Sequence, residues 1–117
     1  MSSIYPNPTP DIARKRREWA GSQLDAFETF SRAAFADGAL PAKIKQIIAV
    51  AAAHMTQCPY CINGHTKAAL RAGATPEELM EAVWVAAEMR AGAAYAHSAM
   101  MIATAMDAAE RQTPREV

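Results

Sequence analysis

Residues 43–73, KIKQIIAVAAAHMTQCPYCINGHTKAALRAG, constrain this 117-residue chain more than any other stretch. They hold both cysteines, as Cys58-Pro-Tyr-Cys61, and two of the three histidines, His54 and His65. The steps from His54 to Cys58, to Cys61 and to His65 are four, three and four residues. Positions three and four apart share one face of a helix, so helical geometry alone can bring two thiols and two imidazoles together. Cys58-Pro59 reads as a fresh helix start, with Cys58 near the N-cap and Pro59 in the first turn.

The flanking chain reads as scaffold, helical throughout and without a strand. Residues 1–10 carry Pro6, Pro8 and Pro10, which disfavour helix before them and predict an extended arm, suited to packing on a partner subunit. Residues 11–117 form one helical domain of five to six helices. Asp11 is the expected N-cap of a first helix. A second, over about 22–36, spaces Leu24, Phe27, Phe30 and Ala34 as core, with Gly38 as its left-handed terminator. A third opens at Leu40-Pro41 and offers two stripes. Ile44, Ile47, Ile48, Ala51 and Met55 form the apolar one; Gln46, Val50, Ala53 and His54 form a less apolar one suited to face a pocket. The Cys58 helix ends at Gly73, and Thr75-Pro76-Glu77-Glu78 has capping-box spacing for the next. Leu79, Ala82, Val83, Ala86 and Met89 follow on one face, and Gly92 is expected to break or bend the chain before a last helix over about 93–109. The abundance of alanine leaves flat apolar surface that favours a homo-oligomer.

Charge excludes some functions. Twelve basic and twelve acidic residues balance, which gives no electrostatic case for nucleic acid or for an anionic membrane surface. The run Arg14-Lys15-Arg16-Arg17 reads as a solvated helix face, because no aromatic or glycine interleaving accompanies it. The longest apolar stretch, about 39–55, is interrupted by Lys43, Lys45 and Gln46, and so reads as a buried helix rather than a membrane span. A polar, proline-rich start is no secretory leader, so a cytoplasmic location is expected. There a C-x-x-C pair suggests redox or metal chemistry.

A thiolate, not a thiol, is the nucleophile, and a cysteine of pKa about 8.5 is only a few per cent ionised at neutral pH. The first turn of a helix, with unpaired N–H groups and a positive dipole end, lowers that value. His65, one turn past Cys61, is placed to take a proton or to pair with the thiolate, and the second thiol to resolve a sulfenic acid. Three other readings fit the same residues: two small core cysteines, a zinc site from His54, Cys58, Cys61 and His65, or a structural disulfide. His97 reads as a satisfied interior histidine.

Four segments carry a resemblance to a known family: Gly38-Ala39-Leu40-Pro41-Ala42-Lys43, Ile47-Ile48-Ala49-Val50-Ala51, Cys58-Pro-Tyr-Cys61-Ile-Asn-Gly-His65 and Gly73-Ala74-Thr75-Pro76-Glu77-Glu78. Together they make the chain resemble the carboxymuconolactone decarboxylase-like superfamily, and within it the alkylhydroperoxidase D-like branch. The resemblance implies a small all-α fold assembled as trimers or hexamers. It implies reduction of hydroperoxides through a dithiol–disulfide cycle, with Cys61 peroxidatic, Cys58 resolving and His65 in a proton relay. It implies no metal, haem or flavin, and an external dithiol reductant. The branch carries a relay glutamate twelve residues before the first cysteine; here that position is Gln46, which cannot accept a proton at ordinary pH. His54 is the best substitute relay, with Glu81 and Glu88 as alternatives, and activity is expected to be weak. The other functions to weigh are a lactone-decarboxylating lyase and a non-enzymatic redox or metalloid-binding oligomeric module.

Overall fold

The computed structural model describes residues 4–112, and these contain four α-helices and no strand. They are α1 (Pro10–Phe35), α2 (Ala42–Thr56), α3 (Pro59–Arg71) and α4 (Pro76–Gln112). The all-α expectation holds; the expected five to six helices become four because two anticipated breaks are absent. The boundary before Ser22 is only a kink, with Ala20 at φ −154° and ψ 55° inside a continuous α1. Gly92 lies inside α4. A lone glycine costs a helix about 1 kcal/mol relative to alanine, and Ala91, Ala93 and Ala94 around it are the best helix formers, so the helix continues.

The chain divides into two compact units, Met1–Pro41 and Ala42–Val117. In the first, the expected arm is non-helical through Thr9, and its residues 1–3 lie outside the described part. Thr9, not Asp11, is the N-cap: its hydroxyl accepts from the Ile12 N–H at 3.3 Å. Pro10 at the first helical position moves the cap one residue upstream of itself, which leaves Asp11 in the first turn. Phe27 and Phe30, expected in the core, are 64% and 68% exposed, and no residue of α1 is buried. The basic run is a solvated face, as expected: Lys15 pairs with Glu18, and Arg17 reaches across the kink to Asp25 at 2.7 Å. That pair raises the Arg17 pKa, first through the hydrogen bond and then through the Asp25 charge. The helix ends through an extended Ala36, and Gly38 does not take the left-handed conformation.

In the second unit α2 packs against both α3 and α4. Its core is Val50, Ala69, Ala74 and Leu79, with Ile47 and Val83 packed against them. The inward face of α2 therefore combines Val50 and Ala53 of the less apolar stripe with Ile47 of the richer one, while Ile44, Ile48 and Met55 are exposed. None of the described helices is long and apolar enough to cross a membrane.

Two junctions set the angles between these helices. After α3, Gly73 adopts φ 100°; its N–H donates to the Leu70 carbonyl at 3.0 Å, and the Ala74 N–H to that of Ala69 at 2.9 Å, a Schellman closure. A Cβ at Gly73 would touch nothing, so Gly73→Ala carries only the backbone cost. The expected loss is about 1–2 kcal/mol, read as a lower denaturant midpoint at unchanged slope.

At the start of α4, Thr75 and Glu78 form a reciprocal capping box, Glu78 N–H to the Thr75 hydroxyl at 3.1 Å and Thr75 N–H to the Glu78 carboxylate at 2.9 Å. Lys43 of α2 pairs with the same carboxylate at 3.5 Å. The backbone bond from Thr75, and then the Lys43 charge, lower the Glu78 pKa from its ordinary 4.5. A depressed folded pKa gives stability that is present above the unfolded value and lost as pH falls through the folded one. Glu78→Gln should thus lower the melting temperature at pH 7, and the difference from wild type should shrink as pH falls below about 4.5.

Candidate active site

The junction between α2 and α3 builds the site. At the end of α2, Gln57 sits at φ 57°, a left-handed conformation that costs an L residue roughly 1–2 kcal/mol. The Cys58 N–H closes back onto the Ala53 carbonyl at 3.2 Å, the same Schellman geometry that glycine supplies after α3. The sharp reversal leaves Cys58 extended, φ −99° and ψ 108°, as the N-cap of α3 with Pro59 behind it. Its sulfur accepts from the Cys61 N–H at 3.3 Å, and its carbonyl takes the Ile62 N–H at 2.9 Å.

Both cysteines are reduced and partly buried. The Cys61 thiol donates to the Cys58 sulfur, and with the backbone N–H groups of Cys61 and Tyr60 it pulls the Cys58 pKa below the ordinary thiol value. The same bond pushes the Cys61 thiol up, and partial burial adds to it. The pair thus shares one ionisation, which falls first on Cys58 at the positive end of α3 and leaves the proton on Cys61.

His65, one turn beyond Cys61 on α3, is joined to α2 by Gln46: Nδ1 lies 2.8 Å from the Gln46 Oε1. A carbonyl oxygen only accepts, so this bond puts the proton on Nδ1 and the lone pair on Nε2. His54 is placed differently. Its Nδ1 bonds the Val50 carbonyl of its own helix at 2.7 Å. Glu81 and Glu88 are exposed on α4. Among the described residues no three of His, Cys, Asp and Glu converge as metal ligands, so His54, Cys58, Cys61 and His65 do not form the tetrahedral set that zinc requires. His97 is exposed on α4 rather than interior.

Because α3 and α4 both pack on α2, an open apolar groove of about 280 Å³ runs between them. Val50 and His54 form its floor, Ile62 and Thr66 one wall, Leu79 and Val83 the other. Ile62 and Thr66 continue the i, i+4 row that begins at Cys58. The sequence pattern foreshadows the Val50–His54 face but not the groove.

One side chain was invisible to the sequence reading. Arg90 of α4 donates to the Met55 carbonyl at 3.3 Å and to that of His54 at 3.5 Å. With its amide oxygen turned toward the guanidinium, Gln57 accepts from Nη1 at 3.1 Å and from Nη2 at 3.3 Å. No local motif announces a contact across 33 residues of chain, although an arginine opposite a helix C-terminus is a favourable pairing.

Comparison with known proteins adds a family and several relatives. The profile of the carboxymuconolactone decarboxylase family matches residues 23–111. The chain is 59% identical over 92 residues to uncharacterized protein 4 in the cox locus of Paracoccus denitrificans, covering 78% of this chain and 83% of that one. It is 41% identical over 87 residues to an uncharacterized protein of Cupriavidus necator, covering 73% and 77%. Among solved structures it is similar to the apo form of a carboxymuconolactone decarboxylase family protein from Legionella pneumophila, with a TM-score of 0.63 at 38% identity over 66% of this chain and 69% of that one. A protein from Methanobacterium thermoautotrophicum matches with a TM-score of 0.68 at 34% identity, over 73% and 98%.

Proposed function

Because this chain belongs to the carboxymuconolactone decarboxylase family, we propose that it is a thiol-dependent peroxidase-type oxidoreductase that reduces alkyl hydroperoxides by cycling Cys58 and Cys61 between dithiol and disulfide. The observation that carries this reading is the hydrogen-bonded cysteine pair at the α3 N-terminus, with Cys58 favoured as thiolate. A buried structural pair would gain nothing from that charge.

The proton in the S–H···S bond moves from Cys61 to Cys58, with the lone pair on His65 Nε2 as its alternative acceptor. The Cys61 thiolate attacks the terminal hydroperoxide oxygen: an S–O bond forms, the O–O bond breaks, and the alkoxide leaves with a proton as the alcohol. Cys58, a thiolate again, attacks the sulfenic sulfur; the S–S bond forms, the S–O bond breaks, and the hydroxide takes a proton from solvent and leaves as water. Two electrons pass from the thiols to the peroxide, and an external dithiol of lipoamide or thioredoxin type restores the pair. The groove beside the row from Cys58 suits an alkyl group. No arginine or lysine lines it to hold a carboxylate, which weighs against a lactone decarboxylase. Exposed Ile48, Trp84, Tyr95 and Met100 support a homo-oligomer.

The test is a free-thiol titration before and after stoichiometric cumene hydroperoxide. Loss of two thiols per chain with release of one equivalent of alcohol is expected. Thiols that persist while the peroxide is unconsumed would remove the proposal.

A further inference from the structure

We infer that Arg90 is a positioning residue for the dithiol: its guanidinium clamps the left-handed Gln57 linker that presents Cys58 to Cys61. This rests on the dithiol reading of the site. An L residue holds a left-handed conformation beside a reactive group only when its surroundings over-determine it. Here the determinants can be named. The Cys58 N–H binds the Ala53 carbonyl at 3.2 Å, and the Thr56 hydroxyl binds the same carbonyl at 3.3 Å. Those bonds come from within the turn. Arg90 is the determinant from outside it, reaching from α4 to the Met55 and His54 carbonyls and to the Gln57 side chain.

A planar guanidinium with several donors can satisfy two terminal carbonyls and a side-chain amide at once, which an ammonium does less well. The consequence lies one residue on. Cys58 is fixed as the N-cap, where its sulfur meets the Cys61 N–H at 3.3 Å and the Cys61 thiol. If the linker relaxes, the N-cap sulfur leaves the helix end and the two sulfurs lose their register.

The variants Arg90→Met, Arg90→Lys and Gln57→Gly, made in the full chain, test this through two readouts that need no peroxide. One is the pH dependence of Cys58 alkylation by iodoacetamide, resolved by mass spectrometry. The other is the rate of Cys58–Cys61 disulfide closure in oxidised dithiothreitol, which accepts the two electrons. Arg90→Met should move the alkylation midpoint to higher pH and slow closure by about tenfold or more. Arg90→Lys should fall between it and wild type. Gln57→Gly should slow closure while melting no lower than wild type, because glycine accepts the left-handed geometry without strain but does not hold it. That separation is one a merely structural contact would not produce. Wild-type alkylation and closure in folded Arg90→Met overturn the inference. If that variant fails to fold, wild-type behaviour in both Arg90→Lys and Gln57→Gly overturns it. Shifted profiles in a protein that leaves hydroperoxides untouched would keep Arg90 in its role while refuting the peroxidase.

Discussion

Cys61→Ser is expected to abolish turnover of alkyl hydroperoxide, whereas Cys58→Ser retains a single-turnover burst that ends in a sulfenic acid on Cys61. The asymmetry follows from the division of labour between the sulfurs. Serine at 61 leaves no sulfur to attack the peroxide in the order proposed; serine at 58 removes only the group that closes the disulfide. The Cys58→Ser burst should not be slowed at neutral pH, since the variant loses the sulfur whose hydrogen bond and charge push the Cys61 thiol up. Trapping with dimedone, followed by mass spectrometry, locates the sulfenic acid. The reverse pattern, a burst in Cys61→Ser with the trap on Cys58, would exchange the two roles. Equal steady-state turnover in all three proteins would leave both thiols outside the chemistry.

Gln46→Glu is expected to raise peroxide turnover by about 10²-fold, the lower end of what a positioned general base contributes. Gln46 Oε1 already sits 2.8 Å from His65 Nδ1, so the replacement introduces a carboxylate at an existing hydrogen bond without rebuilding the site. The glutamine can orient the ring but takes no proton; a carboxylate would also stabilise the imidazolium that forms when Nε2 takes the thiol proton. The gain should appear in kcat, with the KM for peroxide little changed, because the new charge acts on the proton and not on the alkyl group. It should vanish in Gln46→Glu/His65→Gln. A rise that survives loss of His65 would mean the carboxylate works by another route.

The parts of this architecture that were legible in the sequence are those built from local chemistry. Thr75 with Glu78, Cys58 with Pro59, and Gly73 after Arg71 each declare a helix end through two or three neighbouring residues, and the structure forms all three ends there. The missed features depend on contacts distant in sequence. Both stripes of α2 are helical and apolar enough to be buried; the core around Ala69, Ala74 and Leu79 takes Val50 from one and Ile47 from the other. Gly92 punctuates a sequence but only weakens a helix that has alanine on either side. In the site, the cysteine pair follows from helical spacing, whereas the His65–Gln46 link joins two helices and follows only from the relay position that the family resemblance gives Gln46. His54 lies on the expected face, but the spacing gives no sign that its Nδ1 is held by the Val50 carbonyl of its own helix. Glycine or asparagine is the usual mark of a left-handed cap, and the glutamine at position 57 carries no such signal.

The central claim is that the opening turn of α3 favours the thiolate of Cys58 over that of the Cys61 bonded to it, and alkylation rate against pH, read separately for the two cysteines of the wild-type protein, tests it most directly. The account predicts that Cys58 reacts first, with its midpoint below that of an ordinary thiol, and that Cys61 lags with a midpoint above it. Two cysteines titrating together at the ordinary value of about 8.5 would contradict it.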